Sequence, residues 1–251
     1  MTVSVMAQNN SKKLYLLFEF MQVKNEKGSD YYKVEDFWSG IHKQRVANKQ
    51  ILGWDLWSLT PSGKNQGAQY MTVTLFSSLK DMLNPGGFED LIATAKKAYP
   101  KMTEKEITDM LDQTGNSRDI ADQVYFEQVD VTTGDYQMKV GTMATIDVMK
   151  QLEDNYEKSE SEIFKPYHQK LVNAGKVGEW SLLRVILPAG SDSYGTHITV
   201  SMFKDAAQLA TYMEAPMGDD IDFLTQSAAA TGFKTREWKE KKVATLQMMV
   251  R

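Results

Sequence analysis

The stretch FWSGIHKQRVANKQILGW, residues 37–54, has an echo far downstream in IFKPYHQKLVNAGKVGEW, residues 163–180. Superposed, Trp38 falls on Phe164, His42 on His168, Val46 on Val172 and Trp54 on Trp180, each pair 126 positions apart (38 to 164, 42 to 168, 54 to 180). Self-similarity of this kind restricts the fold more than composition can, because both copies must find the same local structure. The match continues with YMTVTLF (70–76) over HITVSMF (197–203), now 127 apart (70 to 197), after the turn-rich loops TPSGKNQG and LPAGSDSYG. QTGNSRD (113–119) resembles AATGFKTRE (229–237). The chain is expected to be two homologous halves, 11–131 and 132–251, that meet near DVTTGDY (130–136) and follow a tail at 1–10.

Each half reads as the same series of elements. In the first, KLYLLFEFMQV (13–23) is a strand. A helix over 34–48 follows, with Trp38, Ile41, His42, Arg45 and Val46 on one face. LGWDLWSLT (52–60) and AQYMTVTLF (68–76) form a hairpin of β-branched and aromatic residues. Helical sequence fills 77–113, broken by NPGG and Pro100 and restarted by a capping box at Thr103 and Glu106, before a closing strand at 123–131. In the second half, strands are expected at 138–147, 178–187, 195–203 and 241–250, with helices at 160–174 and 204–229. Gly40 and Pro166 stand two residues before the paired histidines and predict a helix start or kink there.

The order β-α-β-β-α-β, twice, is that of two ferredoxin-like units in an α+β protein. Their strands are apolar on both faces: Trp54 and Leu56 oppose Trp57 and Leu59, and Trp180 and Leu182 oppose Leu183 and Val185. A strand wet on one face would alternate with polar residues. The inner faces therefore need a cover, and the sister half supplies it. The predicted arrangement is sheet to sheet with the helices outside, an α/β barrel within one chain.

Composition removes several function classes. With 251 residues, 42% of them hydrophobic and 25% charged, the chain is ordinary for a folded protein with a sizeable core. A net charge of −4 argues against nucleic acid as a partner. No apolar run approaches the roughly 20 residues needed to span a bilayer. Without cysteine there is no thiolate metal site, and with three histidines (His42, His168, His197) an imidazole-based zinc site would need nearly all of them, so no metal is expected. The 15 methionines read as core filling. The start, MTVSVMAQNN, reads either as a disordered tail or as the remnant of a secretory signal. The second reading places the protein outside the cytoplasm and the first within it. A closed barrel of this kind is expected as a monomer or as a homo-oligomer of barrels.

Element order, the duplication and the H…V…G/K…W phrase after each first helix resemble the dimeric α/β-barrel superfamily. It includes antibiotic-monooxygenase-like, stress-responsive, NIPSNAP-like and EthD-like families and, as tandem fusions, chlorite dismutases and dye-decolourising peroxidases. The resemblance implies a ligand in the cleft between sheet and helices or at the barrel mouth. It also implies haem held by a histidine, or cofactor-free oxidation or rearrangement of aromatic substrates. The Asn-Trp-His set of the haem-degrading and quinone-forming branch is not recognisable in this chain.

Candidate ligand-binding residues follow from chemistry and position. His42 and His168 sit on sheet-facing stripes, where imidazole either titrates, ligates iron, or is a buried structural group. Trp54 and Trp180 are core residues or walls for a flat apolar ligand. Tyr70 with Thr72 and Thr74, matched by His197 with Thr199 and Ser201, makes a hydroxyl-rich strand face that suits a polar site or a partly wet barrel interior. Glu19 and Glu127 interrupt apolar strands expected to be neighbours, so they either share a proton as acid and base or reach solvent or a cation. Their counterparts in the second half read as apolar or small. Arg184 interrupts WSLLRVIL and is expected to anchor an anionic ligand in the second half, while the first half suits a neutral aromatic one. The expected function is binding of a small, partly apolar molecule in a sheet–helix cleft. The alternative is an enzyme, either haem-dependent or a cofactor-free oxygenase or lyase with histidine or carboxylate as base.

Overall fold

A computed structural model describes residues 13–63, 65–215 and 222–251; the expected tail at 1–10 lies outside them. Strand β1 (Tyr15–Val23) leads into helix α1 (Gly28–Ala47) and the hairpin of β2 (Gly53–Thr60) and β3 (Tyr70–Phe76). Three helices follow, α2 (Leu79–Leu83), α3 (Phe88–Ala98) and α4 (Glu104–Ser117), and then β4 (Arg118–Val131). The second series is β5 (Met143–Gln151), α5 (Tyr156–Ser159), a π turn (Glu160–Phe164), α6 (Lys165–Asn173), β6 (Glu179–Leu187), β7 (His197–Phe203), α7 (Ala206–Glu214), α8 (Phe223–Gly232) and β8 (Arg236–Val250).

The eight strands form one closed antiparallel barrel in the order β1-β3-β2-β8-β5-β7-β6-β4. The run β4-β1-β3-β2 recurs as β8-β5-β7-β6. The expected pair of facing sheets is realised edge to edge: β2 hydrogen-bonds β8, and β4 hydrogen-bonds β6. An exposed edge leaves backbone N–H and C=O groups unpaired. The long strands β4 (14 residues) and β8 (15 residues) reach a neighbour on both sides and remove those edges.

Period-two alternation divides the side chains into an inner and an outer set. Phe18, Trp57, Leu59, Met71, Val73, Phe126, Ile146, Leu183, Ile198, Val200 and Leu246 fill the barrel interior. Trp54, Leu56 and Phe76 face outward against Tyr31 of α1, and Trp180 and Leu182 face outward against Tyr156 of α5. The hydroxyl-rich stripe is outward too. Thr72, Thr74, Thr199 and Ser201 are buried beneath the helices, while Met71, Val73, Ile198 and Val200 point inward, so the expectation of a partly wet interior is corrected to an apolar core. On the inward side of β2, Asp55 takes a two-pronged bond from the terminal Arg251 (2.8 and 2.9 Å).

The helices correct two further readings. α1 runs unbroken through Gly40, and the glycine answers to packing: the Tyr99 phenol, which donates to the Phe37 carbonyl at 2.9 Å, occupies the space a β-carbon at 40 would need. In the second half the helical path begins at Tyr156, crosses the π turn and enters α6 with Pro166 in its first turn, where a missing N–H is harmless. β5 starts at Met143, later than expected, and β8 starts earlier, at Arg236.

Candidate functional site

Between α1 and the outer face of the barrel, the first-half candidates His42 and Trp54 come together. The His42 imidazole stacks on Trp54 (centroids 4.8 Å, 18° between planes) and, on its other side, on Trp38 (5.7 Å, 27°). Trp38 is itself fixed by its indole N–H, which donates to Thr114 of α4 at 3.0 Å. Arg45, one turn along α1, sits 3.3 Å from His42 Nδ1 through its Nη1. A guanidinium carries donors only, so Nδ1 accepts and the imidazole is the neutral Nε2–H tautomer. Burial, with the Arg45 charge adding, holds His42 well below its ordinary value.

The second half repeats the stack without the cation. His168 lies flat on Trp180 (5.0 Å, 8°), but its Nδ1 is buried without a partner, and Leu171 stands where the repeat places Arg45 (45 to 171, the same 126). Burial pushes His168 down to about 3.

The remaining candidates fall elsewhere. Tyr70 packs its ring against Tyr31 (4.7 Å) and Tyr32 (5.7 Å) and supports α1. Glu19 and Glu127 do not form a dyad: Glu19 pairs in register with Gln123 of β4, and Glu127 with Tyr15 of β1. Glu19 accepts from Thr72 Oγ1 (3.2 Å) and Gln123 Nε2 (2.8 Å), while Glu127 is held by Lys13 and Arg184. Register also shows that Glu19 has an acidic counterpart, Asp147, which pairs with Thr199 and Lys241 as Glu19 pairs with Thr72 and Gln123. Arg184 is not an uncompensated cation awaiting an anion. It bonds Glu127 (3.0 Å) and Glu157 (2.9 Å), and with its side chain 43% exposed it is far from sealed. His197 uses both ring nitrogens, on Thr196 Oγ1 and Glu157 Oε1, each at 2.9 Å.

A constellation absent from the sequence reading appears in both halves. Glu35 of α1 is 1% exposed and accepts from Arg118 Nε at 3.2 Å, with Tyr31 one turn before it. Glu160, also 1% exposed, is bonded by Arg236, with Tyr156 one turn before it. Each arginine opens the last strand of its half. Burial pushes Glu35 up to about 7 against the opposing pull of Arg118, and it raises Glu160 in the same way. The signal was in the sequence: SDYYKVED (29–36) over DNYEKSES (154–161), and the SRD and TRE segments.

The barrel mouth holds a pocket of about 340 Å³. Strands alternate in direction around a closed antiparallel barrel, so β2 and β6 run the same way and their hairpin loops crown the same end. Ala68 of one loop and Pro188, Ser193 and Tyr194 of the other line the pocket, above Phe18, Phe20, Val124, Phe126, Ile146, Val148, Val185 and Ile198. Phe18 and Phe126 meet at 4.8 Å, giving an aromatic wall. Charge lies at Asp122, Glu240 and Lys242, the last two 3.6 Å apart.

These residues do not fit haem. His197 has no free nitrogen, the His42 lone pair at Nδ1 is taken by Arg45, and the pockets at the mouth and along α1 are lined by neither His42 nor His168. Among the described residues, no group of three His, Cys, Asp or Glu side chains is placed to hold a metal ion, and no helix is long and apolar enough to cross a membrane.

A closed antiparallel barrel with helices on its outer face defines the class, and the chain has the fold of the dimeric α/β-barrel, ferredoxin-like superfamily. No protein-family model matches the chain, and no curated protein matches it in sequence. Solved structures do. A provisionally assigned monooxygenase of Fusobacterium nucleatum superposes with a TM-score of 0.60 at 11% identity, over 96% of this chain and 95% of its own. An anthrone oxidase-like protein gives 0.53 at 13% identity (96% and 93%). A mutant chlorite dismutase of Candidatus Nitrospira defluvii gives 0.51 at 9% (94% and 91%). Likeness at these identities shows the fold alone.

Proposed function

We propose that the protein is a small-molecule-binding barrel made of two ferredoxin-like units, 11–131 and 132–251, closed as an intramolecular counterpart of the dimeric barrels. Its ligand is a flat, predominantly apolar molecule held in the barrel mouth rather than in a sheet–helix cleft. The observation that carries this reading is the mouth pocket: about 340 Å³, aromatic and aliphatic in its depth, with charged residues only at Asp122, Glu240 and Lys242. Ligand pockets are characteristically apolar concavities of this order with a few polar groups for orientation. The sheet–helix spaces where His42, Trp54, His168 and Trp180 were expected to receive a ligand are filled by those rings themselves.

The names of the structural neighbours include monooxygenases and an oxidase-like protein, which keeps oxygenase chemistry as the alternative. The general-base candidates His42 and Glu35 are both buried, and neither lines the mouth; His197 does line it, but both of its ring nitrogens are engaged, by Thr196 and Glu157.

The uncharged fluorophore N-phenyl-1-naphthylamine tests the proposal. Its emission should rise saturably with the wild-type protein. Val124→Trp, which places an indole in the pocket where the sister half carries the long Lys242, should weaken binding about tenfold or more through lost apolar burial. Unchanged binding by a folded Val124→Trp variant would refute the assignment.

A further inference from the structure

A second pocket, of about 410 Å³, lies on the outer side of α1, between that helix and the segment 85–94. Its walls are Trp38, Pro85, Phe88 and Leu91, and the side chain of Arg45 reaches it from α1. No carboxylate among the described residues lies within ion-pair distance of that guanidinium; its one hydrogen-bond partner is the neutral His42 imidazole. Glu19, the acid that acts on it from a distance, has its oxygens engaged by Thr72 and Gln123. Asp90, the acidic residue of the pocket, is turned onto the Gly87 N–H at 3.3 Å.

A partly buried cation without a counter-ion is an unfavourable arrangement unless something else needs it. The fold does not. In the second half the same histidine–tryptophan stack stands with Leu171 at the position of Arg45. His42 meanwhile aims the guanidinium, leaving the rest of its five-donor fork for a planar, two-oxygen anion. Beside it the Trp38 indole and Phe88, which is 64% exposed, offer aromatic faces.

We propose that this pocket is an anion-binding site for an aryl carboxylate, with Arg45 as the carboxylate anchor, Trp38 and Phe88 as the faces that receive the ring, and His42 as the positioning residue for Arg45. It is separate from the barrel mouth and independent of what binds there.

The test is calorimetric titration with 2-naphthoate, 2-naphthamide and inorganic phosphate. The wild type should bind naphthoate, and bind the uncharged amide and phosphate far more weakly. Arg45→Leu should weaken naphthoate about tenfold to a hundredfold, the range expected for a charge-assisted hydrogen bond. Val124→Trp should leave it unchanged, which separates this site from the mouth. Arg45→Lys, which keeps the charge but loses the fork, should fall between, and it supplies the comparison if the leucine variant fails to fold. Absence of naphthoate binding at millimolar concentration, equal affinity for the amide, or loss of binding in Val124→Trp alone would overturn the proposal. Phosphate binding as tightly as naphthoate would overturn its aromatic part.

Discussion

Glu35 shows how a residue can be structural and still set a pH response. Its folded value is raised to about 7 by burial, against an ordinary carboxylate value of 4.5, and Arg118 opposes the shift. A raised carboxylate contributes stability that is fully present below the ordinary value and is lost as pH climbs through the folded one. The loss attributable to Glu35 therefore falls between pH 4.5 and about 7. Replacing Arg118 with methionine removes the opposing charge, so Glu35 rises further and its ionised form is left buried alone. The expected cost is about 3–5 kcal/mol at pH 8, and clearly less at pH 5, where the carboxyl can protonate. Urea denaturation at the two pH values measures this. An equal loss at both would mean that Glu35 is not the titrating partner. Arg184 makes the complementary point. A cation in an apolar strand suggests a ligand anchor, but Glu127 and Glu157, far away in sequence, already neutralise it.

At the scale of elements, the repeat made most of the fold legible, because aromatic and apolar residues alternate on strands and recur at helical spacing whatever their partners are. What escaped lay where the repeat changes step. Tyr31 to Tyr156 and Glu35 to Glu160 are 125 apart (156 − 31, 160 − 35), whereas Trp38 to Phe164 is 126, and the π turn Glu160–Phe164 absorbs the extra residue. An alignment begun at Trp38 steps over that insertion and misses the Tyr–Glu–Arg set on the other side. Of the mouth residues, His197 stood out in the sequence, whereas Ala68, Val124 and Val148 look like any core positions until eight strands bring them to one end. Gly40 was misread because propensity cannot see a neighbour. A β-carbon there meets the Tyr99 phenol. Gly40→Ala should destabilise by about 1–3 kcal/mol despite alanine's better helix propensity. In a Tyr99→Ala background the same change should become neutral or stabilising. A double-mutant cycle by thermal melts reads the coupling, and additive effects would show that the phenol is not the obstacle.

For the whole molecule, closure decides what each half can do alone. A unit comprising 11–131 would carry β4-β1-β3-β2 with both outer strands unpaired, since β2 and β4 find their second partners, β8 and β6, in the other half. It would also uncover the inward set, among them Phe18, Met71, Val73 and Phe126, which pack with Ile146, Leu183 and Val200 across the barrel. Open edges and a bare apolar face drive self-association. The pseudo-symmetry of the strand order gives that association a defined product, because a second copy can offer the edges that the sister half offers. Separately produced 11–131 and 132–251 should therefore run as dimers or larger aggregates in size-exclusion chromatography with light scattering. Mixed after unfolding together, they should form a 1:1 complex, because the Asp55–Arg251 bridge and the unequal loops favour the native pairing. A soluble, folded monomer of either half at micromolar concentration would mean that the barrel is not what completes the core.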